Sequence, residues 1–153
     1  MILEAFVKER PAGETRPAAR ARLLDTARRV LEAETPWPAA RTLWLARMDR
    51  AADFFLATDA ASGTPVWLEE MSKGVTLTGI DFELYGKPDR IDALPDGRLH
   101  IIDYKTGTPP SKKQQQLFDK QLLLSAAMVH HGAFPALAGS EVAKVTYVGL
   151  GSS

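Results

Sequence analysis

The 153-residue sequence contains no cysteine. Without thiols the chain has no ligands for a cysteine-bound iron–sulfur cluster and no means of forming a disulfide, so no such cluster is expected in these residues. A long apolar run is also missing, because none approaches the roughly 18 residues that a membrane span requires. We recognise no signal peptide, and we therefore expect a cytoplasmic protein without a membrane partner.

The sequence has no excess charge of either sign. Its 19 Lys and Arg residues equal its 19 Asp and Glu residues, so the formal net charge is zero. A protein that holds nucleic acid through its overall field is usually strongly basic. The balance therefore excludes a broad electrostatic hold on nucleic acid, while a local basic groove stays open.

The order of local patterns predicts helices first, then strands, then a helix and a last strand. Apolar stripes predict helices over Met1–Arg10, Thr15–Glu34, Trp37–Ala60 and Lys112–Gly132. Strands are predicted over Val66–Glu70, Val75–Tyr85, Lys87–Ala93, Arg98–Lys105 and Ala143–Leu150. This order is typical of one α+β domain over residues 1–153, with a helical part in 1–60 and a sheet with a helix in 61–153. Both ends interrupt a predicted element, which favours a fragment of a longer chain.

The stretch "GKPDRIDALPDGRLHIIDYKTG" carries charged residues where a strand is predicted. Asp103 follows two isoleucines and Lys105 comes two positions later, so both side chains share one face of the strand. The "LPDG" turn folds the hairpin about Asp96, and this register places Asp89 opposite Asp103. Two carboxylates would then face each other at ~5 Å, an arrangement that destabilises a strand pair unless a cation lies between them.

A divalent cation would explain this pair of carboxylates. Mg²⁺, or Mn²⁺ in its place, binds a few carboxylates and keeps waters and phosphate oxygens as its other ligands. Lys105 beside the metal could orient or deprotonate a water, or stabilise charge on a phosphate, which suits phosphodiester hydrolysis. The alternative is a surface ion-pair cluster on an edge hairpin. Arg90 and Asp92 fall on the other face, where we interpret them as structural support.

Pro88-Asp89 followed by Asp103-Tyr104-Lys105 reads as a PD-(D/E)xK signature. With "GKPDRID" before it, "TG" after it and "QLLLSAA" on the next helix, it resembles RecB-like nuclease domains. The stretch "IIDYKTGTPPSKKQ" is most similar to the C-terminal nuclease domain of AddB, a subunit of a helicase–nuclease for double-strand break repair. The resemblance implies a restriction-endonuclease-like core of helix, three-stranded antiparallel meander, helix and strand, here with extra N-terminal helices.

The resemblance, which covers residues 70 to about 128, also implies roles for individual residues. Asp89 and Asp103 would bind Mg²⁺ with the carbonyl of Tyr104, and Lys105 would be the active-site lysine. Gln121, on the following helix, would approach the scissile phosphate or the DNA backbone.

The resemblance implies one further acid, and the basic start of the next helix indicates candidate DNA contacts. The family commonly has an extra acid upstream, for which Glu69 and Glu70 are candidates and Glu70 is preferred. Lys112, Lys113 and Lys120 are candidate DNA contacts at the start of the next helix, although a solvated helix face explains each of them as well.

The sequence departs from the family at two places. The family often has Tyr four residues after the glutamine, where this chain has Ser125. Many members have a His on the first core helix, and no residue before Leu3 supplies one here.

Aromatic residues and one histidine outside the motif receive structural interpretations. We predict that Trp37, Trp44 and Trp67 pack in the core or between elements. His100 is predicted on the outer face of its strand.

The implied function is a metal-dependent nuclease that cuts single-stranded DNA delivered by an AddA-like helicase subunit. A non-catalytic DNA-binding or scaffolding module with the same fold is the alternative. A stand-alone RecB-like exonuclease is a third hypothesis.

Overall fold

The computed structural model describes residues 1–76, 79, 81–105 and 112–150, with the backbone alone for residues 112 and 114–119. These residues fall into two compact units. One unit contains residues 1–61, and the other contains residues 62–105 and 112–149.

The first unit consists of helices α1 (Ile2–Lys8), α2 (Arg16–Glu34) and α3 (Pro38–Ala60). Thr15 caps α2, because its hydroxyl accepts a 3.4 Å hydrogen bond from the backbone N–H of Ala18. Phe6 and Phe55 are almost fully buried and meet edge to face, with ring centroids 5.8 Å apart. This unit therefore has a small apolar core of its own.

The second unit is built on a sheet that has four strands among the described residues. These strands are β1 (Thr64–Leu68), β4 (Arg90–Ala93), β5 (Leu99–Lys105) and β6 (Val142–Gly149), and they lie side by side in the order β1-β4-β5-β6. The first three pair antiparallel, and β6 lies parallel to β5 after a crossover through α4 (Lys112–His130). A parallel pair needs such a crossover. The predicted α+β fold, with helices ahead of a three-stranded meander, a helix and a strand, is confirmed.

The hairpin of β4 and β5 has the predicted register. Arg90 lies opposite Ile102, and Asp92 lies opposite His100. Gly97 ends the turn with φ at +82°, in the left-handed region that glycine adopts freely. The hairpin is closed by a 2.8 Å hydrogen bond from the N–H of Leu94 to the carbonyl of Arg98.

One side of the sheet packs against α4. Ile91 and Ile101 point into an apolar cluster that includes Leu122, Met128 and Val129 of the helix. Asp89 lies two residues before Ile91, and Asp103 lies two residues after Ile101, so both carboxylates are on the same face and at the same end of the hairpin. They therefore lie next to the end of the apolar core.

The predicted strand Val75–Tyr85 is wrong. The described residues form two short strands instead, β2 (Val75–Thr76) and β3 (Glu83–Leu84), with Val75 opposite Leu84. The chain reverses between them, and Gly79 has the left-handed φ of +87° that such a reversal uses. Residues 77, 78 and 80, and the loop at 106–111, lie outside the described residues.

Two of the three tryptophans are not in a core. Trp37 is 69% exposed and Trp44 is 38% exposed, so the prediction is wrong for both. The buried face of α3 lies in its second half, at Phe55 and Leu56, and both tryptophans precede it. Trp67 is placed as predicted, because its ring packs edge to face on Phe134 at 5.0 Å.

His100 lies on the face of β5 opposite Ile101, and this face, predicted as the outer one, is buried at His100. The side chain is 5% exposed and its Nε2 lies 2.8 Å from the hydroxyl of Thr146. Residues Leu99–Ile102 are all buried, so both faces of β5 are covered at this point, including the face of His100.

No helix in the described part of the chain is long and apolar enough to cross a membrane.

Candidate active site

Asp89 is fixed by backbone contacts from two neighbouring strand segments. Its carboxylate Oδ2 accepts a 2.7 Å hydrogen bond from the N–H of Tyr104, on β5. Its carbonyl accepts a 3.1 Å hydrogen bond from the N–H of Glu69, directly after β1. The register of β4 and β5, continued by one residue, puts Asp89 opposite Asp103. The hairpin therefore brings the two predicted carboxylates together.

Asp103 forms a close ion pair with Lys105. The Oδ2 of Asp103 lies 2.6 Å from Nζ of Lys105, and the two side chains are 15% and 28% exposed. This contact lacks hydrogen-bond geometry, and Oδ2 is buried with no directed donor among the described residues. The short distance between the two charged groups makes the contact an ion pair.

The surroundings of Asp103 disfavour its charged form. Burial raises the pKa of Asp103 above its ordinary value, Lys105 opposes this rise, and the charge of Asp89 adds to it. A carboxylate that is buried beside a second carboxylate would be stabilised by an added cation. The electrostatics therefore favour cation binding at this point.

Asp103 opens onto a groove between two walls. Residues 85–88 form one wall, and Gln121, Leu124, Ser125 and Met128 of α4 form the other. Gln121 is exposed and faces this groove, so the structure brings it to the same place as Asp103. Ser125 donates its hydroxyl to the carbonyl of Gln121 at 3.1 Å and also lines the groove.

The two candidate upstream acids have different environments. Glu70 is exposed, whereas the side chain of Glu69 is only 10% exposed and its Oε2 lies 3.9 Å from Nζ of Lys87. Glu69 also has a left-handed φ of +45°, which is uncommon for any residue other than glycine. The geometry therefore favours Glu69 over the preferred Glu70 as the acid held next to the site.

The lysines that were predicted to contact DNA are not among the described residues that line the groove. Lys113 and Lys120 are exposed on α4, and neither is among the described residues that line the groove. The side chain of Lys112 lies outside the described residues. The groove wall instead carries Tyr85 and Lys87, which sequence reasoning missed. The position of Lys87, two residues before Asp89, is the signal that could have identified it.

The donor set fits a magnesium ion. The described residues contain no group of three or more His, Cys, Asp and Glu side chains that could hold a metal ion. They offer the carboxylates of Asp89 and Asp103, and Asp103 has a buried Oδ2 and lines the groove. Mg²⁺ is usually held by one or two carboxylates and completed by waters and substrate phosphates, so two are enough. A structural zinc site, which needs four protein ligands, does not fit.

A buried ion pair supports the site from the other face of the sheet. Arg90 and Asp92 are both fully buried and bind each other through two hydrogen bonds, of 2.6 and 2.7 Å. Arg90 also donates from Nη1 to the hydroxyl of Tyr104 at 3.3 Å. Tyr104 is thus held both through its side chain and through its N–H bond to Asp89. The interpretation of Arg90 and Asp92 as structural support agrees with these contacts.

Comparison with known proteins identifies the class to which this arrangement belongs. Residues 1–152 match the family model of the PD-(D/E)XK nuclease superfamily. The chain therefore belongs to the PD-(D/E)XK nuclease superfamily.

The similar curated proteins are long and uncharacterized. One from Rickettsia felis is 35% identical over 78 residues, which is 50% of this chain and 9% of that protein. Another, from Rickettsia conorii, is 34% identical over 61 residues, which is 39% of this chain and 7% of that protein. The chain thus spans less than a tenth of the length of these relatives.

Proposed function

We propose that the chain is a metal-dependent deoxyribonuclease module of an AddAB-type helicase–nuclease that processes double-strand breaks. One observation carries the nuclease proposal. The buried carboxylate of Asp103 faces Asp89, lies 2.6 Å from Lys105 and opens onto the groove that Gln121 lines. Superfamily membership supports the nuclease chemistry. The AddB likeness of "IIDYKTGTPPSKKQ" supports the helicase–nuclease context, with an AddA-like partner in the cytoplasm.

In this proposal Asp89 and Asp103 hold Mg²⁺, or Mn²⁺, with the carbonyl of Tyr104 as a further ligand. The bound ion supplies positive charge at the phosphate and lowers the pKa of a bound water. Lys105 places its positive charge next to the reacting phosphate. The ion pair with Asp103 fixes the ammonium group at the site, and the side chain is 28% exposed, so a substrate can reach it. Gln121 binds the DNA backbone from the opposite wall of the groove.

The groove suits a chain-like substrate better than an enclosed small molecule. Its volume is about 190 Å³, below the roughly 300–1,000 Å³ of small-molecule sites. A polynucleotide that passes over the groove needs only one phosphate at Asp103. This argument supports a polymeric substrate, and the proposal of single-stranded DNA rests on the likeness to a helicase–nuclease.

The test is cleavage of an end-labelled single-stranded oligonucleotide by the full-length complex in Mg²⁺ and in EDTA. We expect Asp103→Ala to lose at least about 100-fold in rate, because loss of an outer partner of a metal ligand already costs about 10–100-fold. Glu70→Gln, at an exposed carboxylate, serves as the matched control and should cleave normally. Unchanged cleavage by Asp103→Ala would exclude this site.

The alternative, a non-catalytic DNA-binding module, makes a different prediction. Such a module needs no metal between Asp89 and Asp103, so Mn²⁺ titration by calorimetry should show no binding that Asp103→Ala removes. Metal binding that depends on Asp103 would exclude this alternative.

A further inference from the structure

We propose that Tyr85 and Lys87 form a nucleotide subsite on the wall of the groove, with Lys87 binding a backbone phosphate and Tyr85 stacking on an unpaired base. The inference rests on the proposed nuclease function and names the residues that hold its substrate. Both side chains line the same groove as Asp103 and Gln121.

The wall between the two residues is held in place at Gly86. The N–H of Gly86 donates to the hydroxyl of Ser72 at 2.9 Å, and the N–H of Ser72 donates to the carbonyl of Gly86 at 2.8 Å. Ser72 is 6% exposed, so this pair of bonds is buried. A Cβ atom at Gly86 would lie 3.0 Å from Sδ and Cε of Met128, which shows how closely the wall approaches α4. Tyr85 and Lys87 therefore flank an anchored point.

Tyr85 presents an exposed aromatic ring whose hydroxyl is already engaged. The residue is 55% exposed, and its hydroxyl donates to Oε2 of Glu83 at 2.6 Å. This hydrogen bond raises the pKa of Tyr85 above its ordinary value and so favours the neutral phenol. A neutral, orientated ring beside a phosphodiester site is a stacking platform for a base.

Lys87 presents an ammonium group that Glu69 positions. The side chain of Lys87 is 51% exposed, and its Nζ lies 3.9 Å from Oε2 of Glu69. Because this contact is long and the lysine has three donors, Lys87 can bind a phosphate oxygen while Glu69 stays beside it.

The backbone of Glu69 links this lysine to the catalytic carboxylates. Its φ of +45° is a strained value for glutamate, and strain of this kind concentrates at ligand sites. Its N–H is bound to the carbonyl of Asp89, so the position of its carboxylate is set relative to Asp89. Glu69 is a positioning residue that acts through Lys87.

A subsite that uses both the ring of Tyr85 and the ammonium of Lys87 favours a single strand over a duplex. In a duplex each base is stacked between its neighbours, so Tyr85 could stack only on a base that has left the helix. Lys87 would bind phosphates of either form. The subsite would thus bind one unpaired nucleotide beside the scissile phosphate.

The experiment measures binding of a labelled oligothymidylate to the full-length protein in EDTA at several salt concentrations. We expect Tyr85→Ala to weaken binding about 5- to 100-fold, which is the range that one stacked base produces. Tyr85→Phe should bind normally. Lys87→Ala should reduce the slope of log K against log salt by about 0.7, the value for one phosphate on a single strand. Lys87→Arg should restore it.

Two matched variants separate this subsite from a general loss of charge. Lys144→Ala removes an exposed lysine on β6, outside the groove lining, and should leave the salt slope unchanged. Glu69→Gln should weaken binding of the single strand in EDTA when Lys87 is present and should have no effect in Lys87→Ala, while Glu70→Gln should bind normally. An effect of Glu69→Gln that persists in Lys87→Ala would overturn the positioning role.

The outcomes distinguish the subsite from the nuclease proposal. If Tyr85→Ala and Lys87→Ala bind and cleave normally while Asp103→Ala is inactive, the subsite is refuted and the nuclease stands. If binding depends on both residues but the wild-type protein does not cleave, the subsite stands without the nuclease. An equal loss of duplex binding in Tyr85→Ala would refute base stacking.

Discussion

The backbone N–H of Tyr104 donates a 2.7 Å hydrogen bond to Oδ2 of Asp89. Tyr104 lies between Asp103 and Lys105 on β5, so this one bond joins both strands of the candidate metal site. The carboxylate of Asp89 therefore has a structural role as an acceptor as well as a charge to offer a cation.

Substitutions at Asp89 should separate these two roles. We expect Asp89→Asn to keep the acceptor for Tyr104 and to fold normally, while losing at least about 10-fold in Mn²⁺ affinity. Asp89→Ala should in addition lose about 1–3 kcal/mol of unfolding free energy, because the hydrogen bond from the N–H of Tyr104 is lost. Calorimetric Mn²⁺ titration and urea unfolding measure the two effects. Normal Mn²⁺ affinity in Asp89→Asn would contradict the metal role.

Asp103→Asn should stabilise the metal-free protein. The carboxylate is 15% exposed and faces Asp89, and its raised pKa shows that burial and Asp89 together outweigh Lys105. Removing the charge should raise the unfolding free energy at neutral pH by on the order of 1 kcal/mol, or roughly 2–4 °C in Tm. Thermal unfolding in EDTA measures this change, and a lower Tm would contradict it. Adding Mg²⁺ should raise Tm in the wild type alone.

The buried pair of Arg90 and Asp92 should be essential for stability. Asp92→Ala removes a carboxylate that holds the fully buried guanidinium of Arg90 through two hydrogen bonds, and breaking such a buried pair costs about 3–5 kcal/mol. The double variant Arg90→Met with Asp92→Leu should lose less, because it removes both charges. Urea unfolding measures the change. The control is Asp25→Ala, which breaks an exposed pair with Arg28 and should cost less than about 1 kcal/mol. Similar losses in Asp92→Ala and Asp25→Ala would contradict the role of burial.

The features that local sequence determines were predictable. The register that sets Asp89 opposite Asp103 depends on one turn at Asp96 and on the period of a strand, and both can be counted along the chain. The α+β order and the ends of most elements follow from the same short-range signals.

The features that depend on distant contacts were not predictable. Glu69 is held by Asp89 and Lys87, some 20 residues further along the chain. Neither its strained φ nor its burial next to the site, which Glu70 lacks, can be predicted from the local sequence "LEE". The exposure of Trp37 and Trp44 depends on where α3 finds its neighbours. Apolar and acidic residues alternate over 80–84, and this pattern favoured one long strand. The reversal at Gly79 was missed because the residues around it form no strong turn signal.

His100 should make the stability of the protein depend on pH. Burial lowers the pKa of His100 below its ordinary value of 6.5, Lys144 and Arg90 lower it further, and Asp92 opposes them. The unfolded chain therefore binds a proton at His100 before the folded protein does. The unfolding free energy should be highest above pH 6.5 and should fall as the pH drops below 6.5, until the folded histidine is also protonated.

His100→Gln tests this dependence, because glutamine can still bond the hydroxyl of Thr146 and does not titrate. Urea unfolding of the wild type and the variant between pH 5 and pH 7.5 gives the difference in unfolding free energy at each pH. We expect this difference to move in favour of the variant as the pH falls, since only the wild type loses stability through this residue. His130→Gln, at an exposed position, should run parallel to the wild type. A constant difference between the wild type and His100→Gln would show that the buried imidazole does not control this part of the pH dependence.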